Sequence, residues 1–224
     1  MSNTANHISF IMDGNHRWSK KNQIDQFESY VKGSNKLLEV TEYIFSNFET
    51  QYITAFALSK NNLNRTNKKI SILKSVIKYF LDDLDSLSKL NFRISIKGNL
   101  GFLEKSIINK INDLNSRNYT YKKNLIILIN YSGQDDILNS VTKINKLKLK
   151  LNRTNFEKNL FLGSIPYPDL LIRTGGYQRI SNFMLYQLSF TDFFFLKKLW
   201  PDLKKSDVKN IINNFKKINR KFGL

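Results

Sequence analysis

Five short apolar runs, separated by amphipathic stretches, restrict what this chain can fold into more than any other feature. The runs are His7–Met12, Tyr52–Ala57, Phe92–Lys97, Leu125–Ile129 and Leu170–Arg173, with Phe193–Phe195 as a candidate sixth. Between them apolar residues return every three or four positions, which is the helical period. Gly33–Phe48, Ile70–Leu87, Leu103–Leu114, Ile137–Leu151 and Val208–Phe222 all show it. Strands alternating with helices predict an α/β fold: a six-stranded, mainly parallel sheet flanked by helices. Leu125–Ile129 is aliphatic throughout, as a strand covered on both faces requires. No internal repeat or change of composition divides the chain, so one domain over residues 1–224 is expected. Open parallel sheets bind ligands at the carboxyl ends of their strands. The loops after Met12, Ala57, Ile129 and Arg173 share that edge.

Composition narrows the chemistry. There is no cysteine, which excludes disulfides, thiolate metal sites and a cysteine nucleophile. The two histidines, His7 and His16, are too few for a typical zinc site, so any metal is expected to be a hard cation on oxygen. The net charge of +18 suits anionic substrates. Codon usage alone can produce Lys- and Asn-rich runs such as Asn61–Lys69 and Lys143–Arg153, and most of the charge is read that way. The basic residues are dispersed and form no recognised nucleic-acid module, so no nucleic-acid partner is expected. Met1–Ser9 lacks the pattern of a secretory signal, and no apolar stretch is long enough to span a bilayer. The expected location is cytoplasmic, with peripheral contact to an anionic membrane leaflet.

Three loop segments carry candidate chemistry. In Asp13-Gly14-Asn15-His16-Arg17-Trp18 a carboxylate at a strand end precedes a glycine and an arginine. Asp13 is placed to hold a cation and Arg17 to neutralise phosphate oxygens. Such a segment is also an ordinary Asp-Gly turn. In Arg173–Asn182 two arginines, Arg173 and Arg179, flank Gly175-Gly176, with Ser181 and Asn182 beyond. Guanidiniums grip phosphate bidentately, and a glycine turn is expected to aim backbone N–H groups at the anion. The plain alternative is a loop whose Ser181 caps a following helix. An arginine closing an apolar strand is costly without an anionic partner, which favours function. Ser59–Arg65, a polar loop after a strand, is weak by itself.

Taken in order, IMDGNHRW, the Ser59–Arg65 loop, PDLLIRTGG followed by QRISNF, and Leu199-Trp200-Pro201-Asp202 resemble the cis-prenyltransferases of the undecaprenyl diphosphate synthase type. The resemblance runs from His7 to Gly223. It implies a homodimeric, Mg²⁺-dependent enzyme that joins isopentenyl diphosphate to an allylic prenyl diphosphate, making an undecaprenyl-type lipid carrier precursor. By position it implies that Asp13 is the catalytic aspartate and a metal ligand. Gly14, Asn15, His16, Arg17 and Trp18 surround the allylic diphosphate. Ser59, Lys60, Asn61, Leu63 and Arg65 belong to the loop over the substrates, with Asn62 as candidate proton acceptor. Arg173, Arg179, Ile180 and Ser181 hold isopentenyl diphosphate, and Asp192 is a second metal ligand. The product tunnel is expected along the helices of Gly33–Phe48 and Ile70–Leu90, with Phe45, Phe56 and Phe80 as candidate obstructions.

The sequence also departs from the family pattern. Gln26 and Tyr30 stand where the family carries an arginine and a histidine near the allylic diphosphate, and Lys20, Lys21 or Lys32 are candidate replacements. Asn61 and Leu63 replace a glutamate and a tryptophan, and Tyr177 replaces a glutamate. Regular elongation is the expected reaction. The alternatives are short-chain or head-to-middle coupling, and a non-catalytic accessory subunit. Asp82-Asp83-Leu84-Asp85 resembles the acidic motif of the all-helical trans-prenyl synthases, but the spacing is wrong and a second cluster is missing.

Overall fold

A computed structural model describes residues 4–61, 67–86, 90–117 and 121–220. Six strands, β1 (His7–Ile11), β2 (Tyr52–Phe56), β3 (Arg93–Gly98), β4 (Asn124–Ile129), β5 (Leu170–Arg173) and β6 (Asp192–Phe195), form one sheet in the order β3-β4-β2-β1-β5-β6. Every pairing in it is parallel. An all-helical fold of the trans-prenyl synthase kind is thereby excluded. Asp82, from the acidic segment, instead pairs with Lys110 on the helix exterior.

The helices are α1 (Asn15–Asn22), α2 (Gln26–Asn47), α3 (Asn67–Ser86), α4 (Lys105–Ser116), α5 (Gly133–Lys146), α6 (Arg153–Asn159) and α7 (Lys205–Phe215). Strand alternation divides the core in two. Ile8, Phe10, Ile53, Ala55, Ile94 and Ile96 face one layer, where α2, α3, α4 and α7 bury Val40, Ile44, Leu81, Ile111 and Phe215. Ile11, Phe56, Ile126, Leu128 and Leu171 face the other, under Phe183, Met184 and Leu188.

Two local outcomes differ from expectation. Helix α2 starts at Gln26, seven residues before Gly33, because the Asp25 side chain accepts from the Phe27 amide and caps it. Ser181 caps no helix: residues 181–190 run as turns and a bend, and Ser181, Asn182 and Met184 all have positive φ.

The chain leaves β1 toward β2 on one side, whereas β5 leads to β6 on the other. Adjacent strands whose following loops diverge open a crevice at their carboxyl ends. Ile11 is in register with Arg173 there, so the loops carrying Asp13 and Arg173 share that crevice.

Candidate active site

Asp13 lies at the bottom of the crevice, half-buried, and both of its carboxylate oxygens are occupied. Arg17 Nη2 donates to Oδ1 at 3.0 Å and Arg173 Nη2 donates to Oδ2 at 2.9 Å. Arg173 is 3% exposed, and its other terminal nitrogen donates to Ser181 Oγ at 2.8 Å and to the Arg179 carbonyl. The Arg173 Nε atom is buried without a hydrogen-bond partner. The backbone of Asp13 is fixed as well: its carbonyl accepts from Thr174 Oγ1 at 2.8 Å and from the Trp200 amide at 3.1 Å. Thr174 was not singled out by sequence; its place directly after Arg173 was the available signal.

Two glycines allow this closure. Gly175 has φ +89°, and a Cβ there would collide with Arg17 Nη2 and come within 2.9 Å of Asp13 Cγ. Gly14 has φ +123° and passes against Leu199 with no room for a side chain. The tight turn at Gly175-Gly176 does not, however, aim amides at a ligand. Those N–H groups donate to the carbonyls of Lys198 and Leu196, both at 2.8 Å, extending the sheet beyond β6. Neither glycine amide is therefore left to meet an anion.

The crevice widens into a cleft of about 810 Å³. Asp13, Gly14, Asn15, His16, Arg17, Ser59, Asn61, Arg173, Arg179 and Ser181, all named from the sequence, line it together with Tyr30, Tyr177 and Asn182. Ser59 is held by a parallel bridge to Tyr131, whose hydroxyl donates to buried Asp136 at 2.8 Å. Asp136 also accepts from the Phe161 amide and from Gln187. Burial, then the Asp136 charge, raises the Tyr131 pKa far beyond its ordinary range, so the hydroxyl remains a donor.

Several expected site residues point elsewhere. Trp18 is buried, its Nε1 donates to Asp202 at 2.7 Å, and Lys32 stacks over its ring at 4.5 Å. Lys32 is thus engaged away from the cleft wall, and Lys20 and Lys21 lie in the last turn of α1, also off that wall. Lys60 pairs with Asp135 at 2.6 Å, and Ile180 packs against the second core layer. Asn62, Leu63 and Arg65 lie outside the described residues.

Asp192 requires a correction. It opens β6 in register with Leu170, which is in register with Ile8, whereas Asp13 lies five residues beyond Ile8. Strand β1 runs three residues beyond Ile8 before the loop that carries Asp13, so at about 3.3 Å per residue the strands alone set the two aspartates roughly 10 Å apart. Asp192 is instead bound by Arg220 Nε at 3.0 Å, and Arg220 also holds Asp169. Within one chain the two aspartates do not form a common metal site.

An apolar cavity of about 100 Å³ adjoins the cleft. Leu37, Leu73, Ile77, Phe80, Ile96 and Ile127 line it between the sheet, α2 and α3. Met12, Asn15, Tyr30 and Ala57 line both spaces and form the junction. Of the three phenylalanines named above, Phe80 is in this wall. Phe45 packs edge-on to Phe92, and Phe56 stacks on Phe183 in the other core layer.

A cationic cleft continuous with an apolar cavity suits a molecule with a diphosphate head and a hydrocarbon tail. Comparison with known proteins agrees. The family model described as "Putative undecaprenyl diphosphate synthase" matches residues 11–223. The chain belongs to this prenyltransferase family. An isoprenyl transferase of Treponema denticola is 36% identical over 226 residues, covering 100% of this chain and 99% of that protein. Lavandulyl diphosphate synthase from Lavandula x intermedia, in complex with dimethylallyl diphosphate, superposes with a TM-score of 0.87 at 28% identity, covering 99% of both chains. A probable undecaprenyl diphosphate synthase from Campylobacter jejuni gives 0.79 at 28% identity, covering 99% of this chain and all of that one. This chain is accordingly an enzyme with the cis-prenyltransferase fold, and it transfers prenyl groups.

Among the described residues no three His, Cys, Asp or Glu side chains gather as a metal cage. A Mg²⁺ site built from one carboxylate and substrate phosphates needs no such cage. Asp13, in a cleft wall of arginines, fits a cation that arrives with a diphosphate.

Proposed function

We propose that this prenyltransferase condenses isopentenyl diphosphate with an allylic prenyl diphosphate, one unit at a time, and releases a cis-polyprenyl diphosphate of the lipid carrier type. The supporting observation is the Asp13–Arg173 pair at the mouth of an apolar cavity. The C1–O bond of the allylic substrate breaks, the isopentenyl double bond attacks C1, and C2 of the incoming unit loses a proton. Charge accumulates on the departing diphosphate. Arg17 is placed to stabilise it, while Arg173, Arg179 and Ser181 hold the second diphosphate with its double bond toward C1. Asp13 would hold Mg²⁺, which when bound withdraws charge from the leaving diphosphate. Asn62 remains the proposed proton acceptor.

We read the active form as a homodimer. The edge strand β6 exposes Phe193, and Phe190 beside it is 64% exposed, which supports apolar association. Among the described residues no helix is long and apolar enough to cross a membrane. Exposed Leu147, Leu149 and Leu151 alternate with Lys146, Lys148 and Lys150, which supports peripheral contact with an anionic leaflet.

A second reading, coupling of two allylic units, is favoured only by Gln26 and Tyr30 on the allylic side. Both readings are tested by product analysis with dimethylallyl, geranyl and farnesyl diphosphates, each with and without isopentenyl diphosphate. Elongation that requires isopentenyl diphosphate supports the first reading; products formed from dimethylallyl diphosphate alone support the second.

A further inference from the structure

Three guanidiniums converge on one aromatic ring at the cleft mouth. The Tyr177 ring centroid lies 4.2 Å from Arg179 Cζ, 5.0 Å from Arg17 Cζ and 5.8 Å from Arg173 Cζ. These arginines are not equally secured by other means. Arg17 and Arg173 share Asp13. Among the described residues Arg179 forms no ion pair and no side-chain hydrogen bond, and its guanidinium stacks on the Tyr177 face. Arg179 has an exposed side chain with much rotamer freedom to lose, so its position over the cleft depends on that ring.

A ring differs from a carboxylate at this place in one respect that matters. It gathers cations without cancelling their charge. Asp13 is the one carboxylate among the described residues lining the cleft, and it faces three arginines. Two positive charges are therefore left uncompensated, which matches the demand of a diphosphate.

We propose that Tyr177 is a positioning residue that stacks Arg179 over the cleft, so that this chain holds a diphosphate by side-chain charge even without a divalent cation. The proposal rests on reading the cleft as a diphosphate site. Tyr177 is 44% exposed and packs into neither core layer, so its substitution leaves the fold intact.

The test is calorimetric titration of the full chain with inorganic diphosphate in the presence of a chelator. Wild type, Tyr177→Phe, Tyr177→Leu and Tyr177→Glu are compared, with unfolding midpoints as the control for folding. Tyr177→Phe keeps the ring and is expected to bind within about twofold of wild type, Tyr177→Leu about three- to tenfold more weakly, and Tyr177→Glu more weakly still. In turnover with Mg²⁺, Tyr177→Leu raises KM for isopentenyl diphosphate and leaves kcat within about twofold, as loss of uniform binding requires. If Tyr177→Leu binds like wild type, or Tyr177→Phe as poorly as Tyr177→Leu, the ring has no such role. Wild-type binding seen only after Mg²⁺ is added overturns the cation-free claim. A wild type that binds diphosphate under neither condition overturns the diphosphate reading of the cleft itself.

Discussion

Arg173 and Asp13 are 160 positions apart in sequence, yet Arg173 Nη2 meets Asp13 Oδ2 at 2.9 Å. The guanidinium is almost wholly buried while the carboxylate faces the cleft. Removing the carboxylate thus strands a buried cation and removes a reactive-site anion together. Asp13→Asn is expected to lower turnover by about 10²–10³-fold. It should also cost about 2 kcal/mol of stability, through one lost charge-assisted hydrogen bond. Steady-state rates and urea unfolding measure the two effects. A variant with full stability and no activity would show that Arg173 is held by Ser181 and the Arg179 carbonyl alone.

Gly175 tests whether the closed geometry of that pair matters. A methyl group there clashes with Arg17 and Asp13, and a positive φ is unfavourable for alanine. Gly175→Ala should destabilise by about 1–3 kcal/mol and reduce kcat more than it raises KM. Neighbouring Gly176, whose nearest Cβ contact is 3.8 Å away, supplies the comparison. Gly176→Ala carries the backbone cost without the clash and should retain more activity.

Much of this arrangement was legible in the sequence. The apolar runs specified the strands, Arg173 was readable because a charged residue closing a buried strand needs a partner, and Asp13 was readable from the motif it opens. What was not legible depended on direction or on local contacts with little periodicity. Asp192 opens a strand that Arg173 closes on its neighbour, so a parallel sheet puts it on the opposite edge from Asp13. Helix α1 has no apolar stripe, and it forms where Trp18 and Ser19 tuck against α2 and the Trp200 turn. Trp18 was expected at the allylic diphosphate from its place in the family motif, but it follows Arg17 on a helix, where adjacent residues face different ways.

His7 gives a pH dependence independent of catalysis. Its Nδ1 lies 2.5 Å from the Pro166 carbonyl, which can only accept, so that nitrogen carries the proton and Nε2 accepts from Thr54 Oγ1 at 2.8 Å. Burial lowers the pKa to about 4 against an ordinary 6.5, despite the opposing effects of Pro166 and Asp169. The folded state therefore favours neutral His7, and the unfolded chain takes up the proton first as pH falls. Its contribution is complete above pH 6.5 and is lost as pH falls toward 4. By pH 5 the loss amounts to about 2 kcal/mol. Urea midpoints of wild type and His7→Gln between pH 7.5 and 5 should converge on acidification; parallel curves would remove His7 as the cause.

Product length should respond to the cavity wall rather than to core phenylalanines in general. Ala57 stands at the junction of cleft and cavity, and Phe80 is in the cavity wall. Ala57→Leu narrows the junction and should shorten the products, whereas Phe80→Ala should lengthen them. Phe45→Ala should cost about 3–5 kcal/mol with no change in length, because Phe45 lies outside that wall. Chromatography of radiolabelled products separates these outcomes.

The α1 side of the cleft, where Gln26 and Tyr30 stand, offers the most direct gain of function. Gln26 Nε2 lies 3.4 Å from the Tyr30 hydroxyl, and Tyr30 lines both cleft and cavity. Neither side chain is a cation, and no lysine of α1 or α2 lines the cleft in their stead. The double variant Gln26→Arg, Tyr30→His adds a guanidinium and an imidazole beside the α1 side of the cleft. A charge-assisted contact to phosphate contributes about 1.5–3 kcal/mol. One new contact should therefore lower KM for the allylic diphosphate about tenfold or more. KM for isopentenyl diphosphate, whose proposed ligands are Arg173, Arg179 and Ser181, should stay unchanged. An equal fall in both KM values would mean that the two diphosphates do not divide the cleft between the α1 side and the Arg173 side.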